Sequence, residues 1–189
     1  MSRVTQAEAR ANRRRVVEAA ARLLRERGVA KVSVADVMHA VGLTQGGFYK
    51  QFASKNALVE EAAVQGFTEM LTYLAALDAD HGDHAAAWPA LLDTYLSDEH
   101  RGTPGTGCPA AGFAGDFARE PAWHGVYSDG VREMAGWIAP GETGLTALAT
   151  LVGSLMLSRA TLGTPLSDEI LDAARHALEP ALGDEAAPD

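Results

Sequence analysis

Cysteine, aromatic residues and long apolar runs are all scarce in this chain of 189 residues. One cysteine, Cys108, excludes an intrachain disulfide framework and fits a reducing compartment. The most apolar stretch, Leu145–Leu157, is shorter than the roughly 20 residues a membrane-spanning helix needs. The opening Met-Ser-Arg-Val-Thr-Gln lacks the apolar segment of a signal peptide, so a cytoplasmic protein with no membrane partner is expected. Aromatics are 6% of residues while alanine and leucine dominate, which points to cores built from small helix-forming side chains. No β-alternation of useful length, no internal repeat, no Gly-x-Ser-x-Gly and no His-Glu-x-x-His occurs. Gly102–Gly107 is glycine-rich, but it follows no strand and lacks the Gly-Lys-Ser/Thr ending of a phosphate loop, so it reads as a linker. No converging catalytic groups are found and no cofactor is expected. A small helical enzyme or carrier is the competing class.

The charge balance is 16 basic against 25 acidic side chains, a formal −9, which taken alone argues against nucleic acid as a partner. Its distribution argues the reverse. Residues 1–55 hold eleven basic and four acidic side chains, a formal +7, and residues 56–189 carry −16. A basic N-terminal third on an acidic remainder predicts two units with different partners, the first a polyanion. The expected domains are 1–55, then 56–182, then an acidic flexible tail over 183–189.

The fold expected is all-α, with about nine helices. Val16, Ala20, Leu23 and Leu24 form an amphipathic stripe over residues 6–28, stopped by Gly28. Ser33 is a good N-cap for a second helix through Ala40, with Asp36 completing an imperfect capping box. Gly42 stops that helix, Thr44 can cap a third through Phe52, and Ser54 caps a longer fourth. Two short helices joined by a tight glycine-containing turn and braced by a longer one form a helix-turn-helix. Further helices are expected over 85–97, 109–118, 122–138, 143–162 and 167–180, with 100–107 as a loop.

Within the third helix Phe48 and Phe52 belong to the packed side with Val41, Leu43 and Leu58, leaving Thr44, Gln45, Gly46, Tyr49 and Lys50 outward. Gly46 and Gly47 cost about 1 kcal/mol each in a helix, which a plain core helix has no use for. A recognition helix does, since glycine lets backbone approach a base edge or phosphate. Lys55 stands in the first turn of the next helix, where the dipole disfavours a cation unless a phosphate lies opposite. Tyr49 offers a hydroxyl to a phosphate, and Gln45 can read a base edge.

Val17–Leu58 resembles the DNA-binding domain of TetR-type (tetracycline-repressor family) transcriptional regulators. The residues that carry it are the Ala-rich first helix, Gly28, Ser33-Val34-x-x-Val37, Gly42-Leu43-Thr44, Phe48-Tyr49-x-x-Phe52 and Lys55-x-x-Leu58. The resemblance covers about the first third of the chain. It implies DNA contacts at Thr44, Gln45, Tyr49 and Lys55, to which Ser33, Gly46 and Lys50 are added as neighbours on the same side. Met38 stands where the family usually has alanine, Gln51 where histidine is common, and Phe48 where leucine is more usual; these departures leave the operator sequence open. The implied function is a ligand-responsive regulator, by family habit a repressor. It is released from a palindromic operator by an unknown small-molecule effector or by thiol modification. A metal- or redox-sensing regulator on the same scaffold is the alternative.

The resemblance also implies that the acidic remainder binds ligand and dimerises. Leu148, Val152, Leu155 and Met156, with Ile170, Ala174 and Leu178 on the last helix, are the expected homodimer interface, the other reading being intrachain core. The scarce aromatics concentrate between 67 and 137. The expected pocket is Phe67, Leu71, Trp88, Leu92, Tyr95, Cys108, Phe113, Phe117, Trp123, Tyr127 and Trp137, each of which ordinary packing also explains. Gly107-Cys108-Pro109 places the thiol at an N-cap, where its pKa would be lowered, and resembles a TetR subgroup some of whose members respond to electrophiles or oxidants. A small buried residue closing a helix start is the other reading. His81-x-x-His84 reads as surface solvation rather than a metal site.

Overall fold

The Ala-rich stripe of the N-terminal segment folds as expected. In the computed structural model, which describes residues 6–179, α1 spans Gln6–Arg27 with Val16, Ala20 and Leu24 buried. The tail expected over 183–189 lies outside the described residues. α2 (Val34–Ala40) opens on a complete capping box, Ser33 Oγ accepting from Asp36 N at 3.1 Å and Asp36 accepting from Ser33 N at 2.8 Å. Gly42 turns the chain with φ +72°, a backbone state that favours glycine.

The next element differs from expectation. Gln45–Lys50 is a 3₁₀ helix rather than an α-helix, and Thr44 makes no side-chain cap. Two adjacent glycines supply little α-propensity, and the segment closes instead on an i→i+3 bond from Gly47 N to Thr44 O at 3.1 Å. Phe48 is fully buried and stacks on Phe52, ring centroids 5.2 Å apart, anchoring the turn from inside.

α3 (Lys55–His81) starts on Ser54, which accepts from Ala57 N. Then follow α4 (His84–Tyr95), α5 (Asp98–Gly102), α6 (Pro109–Phe117), α7 (His124–Ile138), α8 (Gly141–Ala160) and α9 (Pro165–Leu178). α5 replaces part of the expected loop, because Ser97 caps it by accepting from His100 N at 3.1 Å. Among the described residues no helix is long and apolar enough to cross a membrane.

Two apolar cores result, and α3 runs unbroken through both. Leu58, Val59, Ala62 and Ala63 pack with α1, α2 and Phe48, and Phe67, Leu74 and Leu77 pack with α4, α7, α8 and α9. The first core therefore extends past the boundary expected after residue 55. It also takes in Phe113, Phe117 and Trp123, so α6 is wedged onto the N-terminal unit. Burying each such side chain contributes roughly 1.5–3 kcal/mol, which ties the two units firmly.

Candidate DNA interface and effector cavity

Thr44, Gln45, Gly46, Tyr49 and Lys50 are all exposed and share the outer side of the 3₁₀ turn, with Tyr49 71% accessible. A Cβ on Gly46 would meet nothing within 4 Å, so no packing inside the protein demands glycine there. The turn is braced from behind by α1. The Arg13 guanidinium lies 4.6 Å from the Phe52 ring centroid, donates to Gln51 O and pairs with Glu61, while Arg15 donates to Val41 O at 2.6 Å. Two expected contact residues are already engaged. The Ser33 hydroxyl is committed to its capping box, and Lys55, half-buried, donates from Nζ to Val29 O at 2.6 Å. That carbonyl contact explains a cation in the first turn of a helix without a phosphate. The Val29 peptide is held at its other end by Asp116 of α6, which accepts from Val29 N at 2.8 Å.

Residues 16–62 match the family described as bacterial regulatory proteins, tetR family. The N-terminal domain is that of a tetR-family regulator. The chain is similar to the uncharacterized HTH-type transcriptional regulator YvdT of Bacillus subtilis, 30% identical over 114 residues, which are 60% of this chain and 58% of YvdT. It is also similar to the HTH-type transcriptional regulator TtgR of Pseudomonas putida, 40% identical over 60 residues, 32% of this chain and 29% of TtgR. The chain thus spans less than two thirds of either relative. The fold extends further than the sequence likeness: E. coli NemR in its reduced form superposes with a TM-score of 0.74 at 15% identity, over 90% of this chain and 96% of that one.

Outside the tetR domain, the expected pocket residues do not line one cavity; Phe67, Phe113, Phe117, Trp123 and Tyr127 instead pack on one another through ring contacts. Phe67, Trp88, Leu92 and Cys108 are core, with Trp88 Nε1 donating to Leu178 O, and Leu71 packs at the core's edge. Phe113, Phe117 and Trp123 belong to the N-terminal core, because α6 packs between the two units, with Ala110 and Ala111 on the second core and its phenylalanines turned toward the first. Trp137 donates to Asp78, and Tyr127 donates to Ala110 O at 2.7 Å, its own pKa pushed up to about 12 by burial. Of the expected set, Tyr95 alone lines the observed hollow. This is a cavity of about 260 Å³ between α3, α4 and the 103–107 loop, walled by Arg25, Glu69, Met70, Tyr73, Leu91, Tyr95 and His100 among others. Arg25 is the residue sequence reasoning missed. A cation on the same side of α1 as the apolar Ala21, one turn earlier, was a signal that it must be paired inside.

Cys108 is fully buried, and burial pushes its thiol up despite the opposing pull of the Tyr95 hydroxyl, the Ala111 and Ala110 N–H groups and Arg159. The lowering expected from its N-cap position is therefore overridden by desolvation. Beneath it, His100 Nδ1 sits on Tyr95 O and Nε2 accepts from Cys108 N at 3.0 Å, a neutral arrangement that burial reinforces by lowering the imidazole pKa. His81 and His84 bond to Leu77 O, Asp78 and Ile138 O, and no group of three or more His, Cys, Asp or Glu side chains gathers among the described residues.

The expected dimer residues divide. Leu148, Leu155, Ala174 and Leu178 face inward and are buried in the chain's own core, so they are corrected to packing residues. Val152 and Ile170 are half-buried, and Met156 is exposed. Leu145, Leu157, Leu162 and Leu166 join Met156 on the outside, each at least half exposed.

Proposed function

We propose that this chain is a ligand-responsive transcriptional regulator, acting as a repressor, that binds a palindromic operator as a homodimer and releases it when a small molecule binds. The observation that carries the reading is the five-residue face of Thr44, Gln45, Gly46, Tyr49 and Lys50. It stands free of packing on the outside of a basic tetR-family domain. Gln45 reads base edges, and Tyr49 and Lys50 hold phosphates. The exposed apolar side of α8 and α9, with Leu145, Met156, Leu157 and Leu166, fits a second copy of the chain packed as a four-helix interface. Small residues at Ala149, Gly153 and Ala160 let the helices approach closely. A two-fold dimer sets its two reading elements into successive major grooves about 34–36 Å apart, so a shift of a few ångströms on ligand binding lowers affinity.

The test is binding of the full chain to duplex DNA from upstream of its own gene, at several salt concentrations. Tight binding that falls steeply with salt, despite an overall pI near 5.1, supports the reading. No binding stronger than to unrelated DNA contradicts it.

A further inference from the structure

Arg25 is an α1 residue whose charged end lies inside the effector domain. Its side chain is 4% exposed, with Nε on Ala21 O at 3.0 Å, one terminal nitrogen on Gly107 O at 3.0 Å and the other on Glu69 Oε2 at 3.1 Å. The space it occupies exists because residue 112 lacks a side chain: a Cβ there would stand 2.8 Å from Arg25 Cγ and 3.0 Å from its Cβ. Its partners are unequal. The two carbonyls are backbone and fixed, whereas the Glu69 side chain is 42% exposed and held otherwise only by Gln65 Nε2, which donates to its Oε1 at 3.0 Å on the exposed surface. The Arg25–Glu69 pair also separates two hollows. On one side is the cavity of about 260 Å³, whose Met70, Leu91 and Tyr95 walls continue into an apolar crevice with Leu74, Met134 and Leu148. On the other is an outer cleft of about 380 Å³ where Arg15 and Arg22 join Arg25 against Glu18 and Glu69. The Tyr95 hydroxyl, buried on the cavity wall, is hydrogen-bonded to the Cys108 thiol behind it.

The geometry points to a small amphiphilic organic acid as the effector, its apolar body between Met70, Leu91 and Tyr95 and its carboxylate on Arg25 in place of Glu69. The inference rests on the effector reading above and specifies its chemistry. A buried guanidinium held by two neutral acceptors keeps one charge-assisted position for an anion, and a charge-assisted bond there favours a carboxylate over a neutral acceptor. A cation would have to pair with the half-exposed Glu69 while leaving Arg25 buried without its counter-charge, which is strongly unfavourable. Because Arg25 lies three residues from the C-terminal end of α1's Gly28 stop, exchanging its partner acts directly on the helix that braces the DNA-reading turn. The ligand's head group thereby touches the DNA-binding unit itself.

Calorimetry on the full chain with 3-phenylpropionate, 3-phenylpropanamide and 3-phenylpropylamine tests this. The acid is expected to bind about tenfold or more tightly than the amide. Glu69→Gln removes the competing carboxylate and should tighten the acid further, a readout that does not depend on Arg25→Gln folding. Thr94→Trp, an exposed position at the cavity wall, should block the acid. Equal affinity of acid and amide, binding of none of the three, or weaker acid binding in Glu69→Gln overturns the proposal. Preference for the amine or amide that Thr94→Trp abolishes overturns the acid while sparing the cavity as effector site. Acid binding that survives Thr94→Trp overturns both.

Discussion

The 3₁₀ turn at Gln45–Lys50 and the α8–α9 pair both leave side chains exposed, but they do so under different constraints. In the turn, packed and outward positions differ in chemistry: Phe48 is buried, while Gln45, Tyr49 and Lys50 are polar-tipped and exposed. In α8, Leu148 and Leu155 face inward while Leu145 and Met156 face outward, and all four are apolar. A polar face shows its outward side in the sequence; a helix that is apolar on both sides does not. In the proposed dimer the physical reason is that a helix packed between its own core and a second subunit is buried all round, so its periodicity has no polar phase to mark.

This contrast can be broken by substitution. The largest effect is expected from Leu145→Arg with Met156→Arg, which puts two charges on the outward side of α8 and leaves the inner core untouched. The protein should sediment as a folded monomer and lose operator affinity about a hundredfold or more, since two linked half-site contacts become one. Leu155→Ala, only a few residues away but facing inward, should instead cost about 2–5 kcal/mol of stability measured by denaturant unfolding, with the dimer retained in the folded fraction. If the two variants behave alike, the division of the α8 faces is wrong.

On the turn the expected effects are smaller and differ in kind. Gln45→Ala should cost about 1–3 kcal/mol at the operator and change which base is preferred. Lys50→Ala should weaken all sequences alike and reduce the salt slope by about one. Competition binding against a panel of single-base operator variants separates the two.

The smallest effect concerns His100. Its pKa is lowered below 6.5 by burial, so the unfolded chain takes up the proton first as pH falls. Stability from this group is complete above pH 6.5 and is lost as pH falls from there toward the folded value. His100→Gln should flatten the decline in melting temperature between about pH 7.5 and 5.5 relative to the unsubstituted chain.

What was legible follows the same division. The caps at Ser33 and Ser54, the glycine stops at 28 and 42, and the outward placement of Thr44, Gln45, Gly46, Tyr49 and Lys50 all come from local rules, and each stands as expected. The 3₁₀ form of the turn was hinted at by Gly46-Gly47 but masked by the helical spacing of Phe48 and Phe52. The effector cavity was not legible. Aromatic residues marked it by association, yet Phe113, Phe117 and Trp123 were drawn into the other core by the crossing of α6 over α1, a long-range fact no local pattern carries. Lys55 and Cys108 show the limit of reading a side chain from the field of its own helix. Each is governed by a tertiary contact, the Val29 carbonyl for the first and, as its other reading had it, burial for the second.

The central claim is that the exposed face of residues 44–50 reads DNA twice, once from each subunit of a dimer joined through the outer side of α8 and α9. Selection of bound duplexes from a randomised pool by the full chain tests it most directly. The account predicts enrichment of an inverted repeat whose half-sites lie about one helical turn apart, centre to centre, with the preferred base changed symmetrically in both halves by Gln45→Ala. Enrichment of a single unrepeated site, or of no sequence at all, would contradict it.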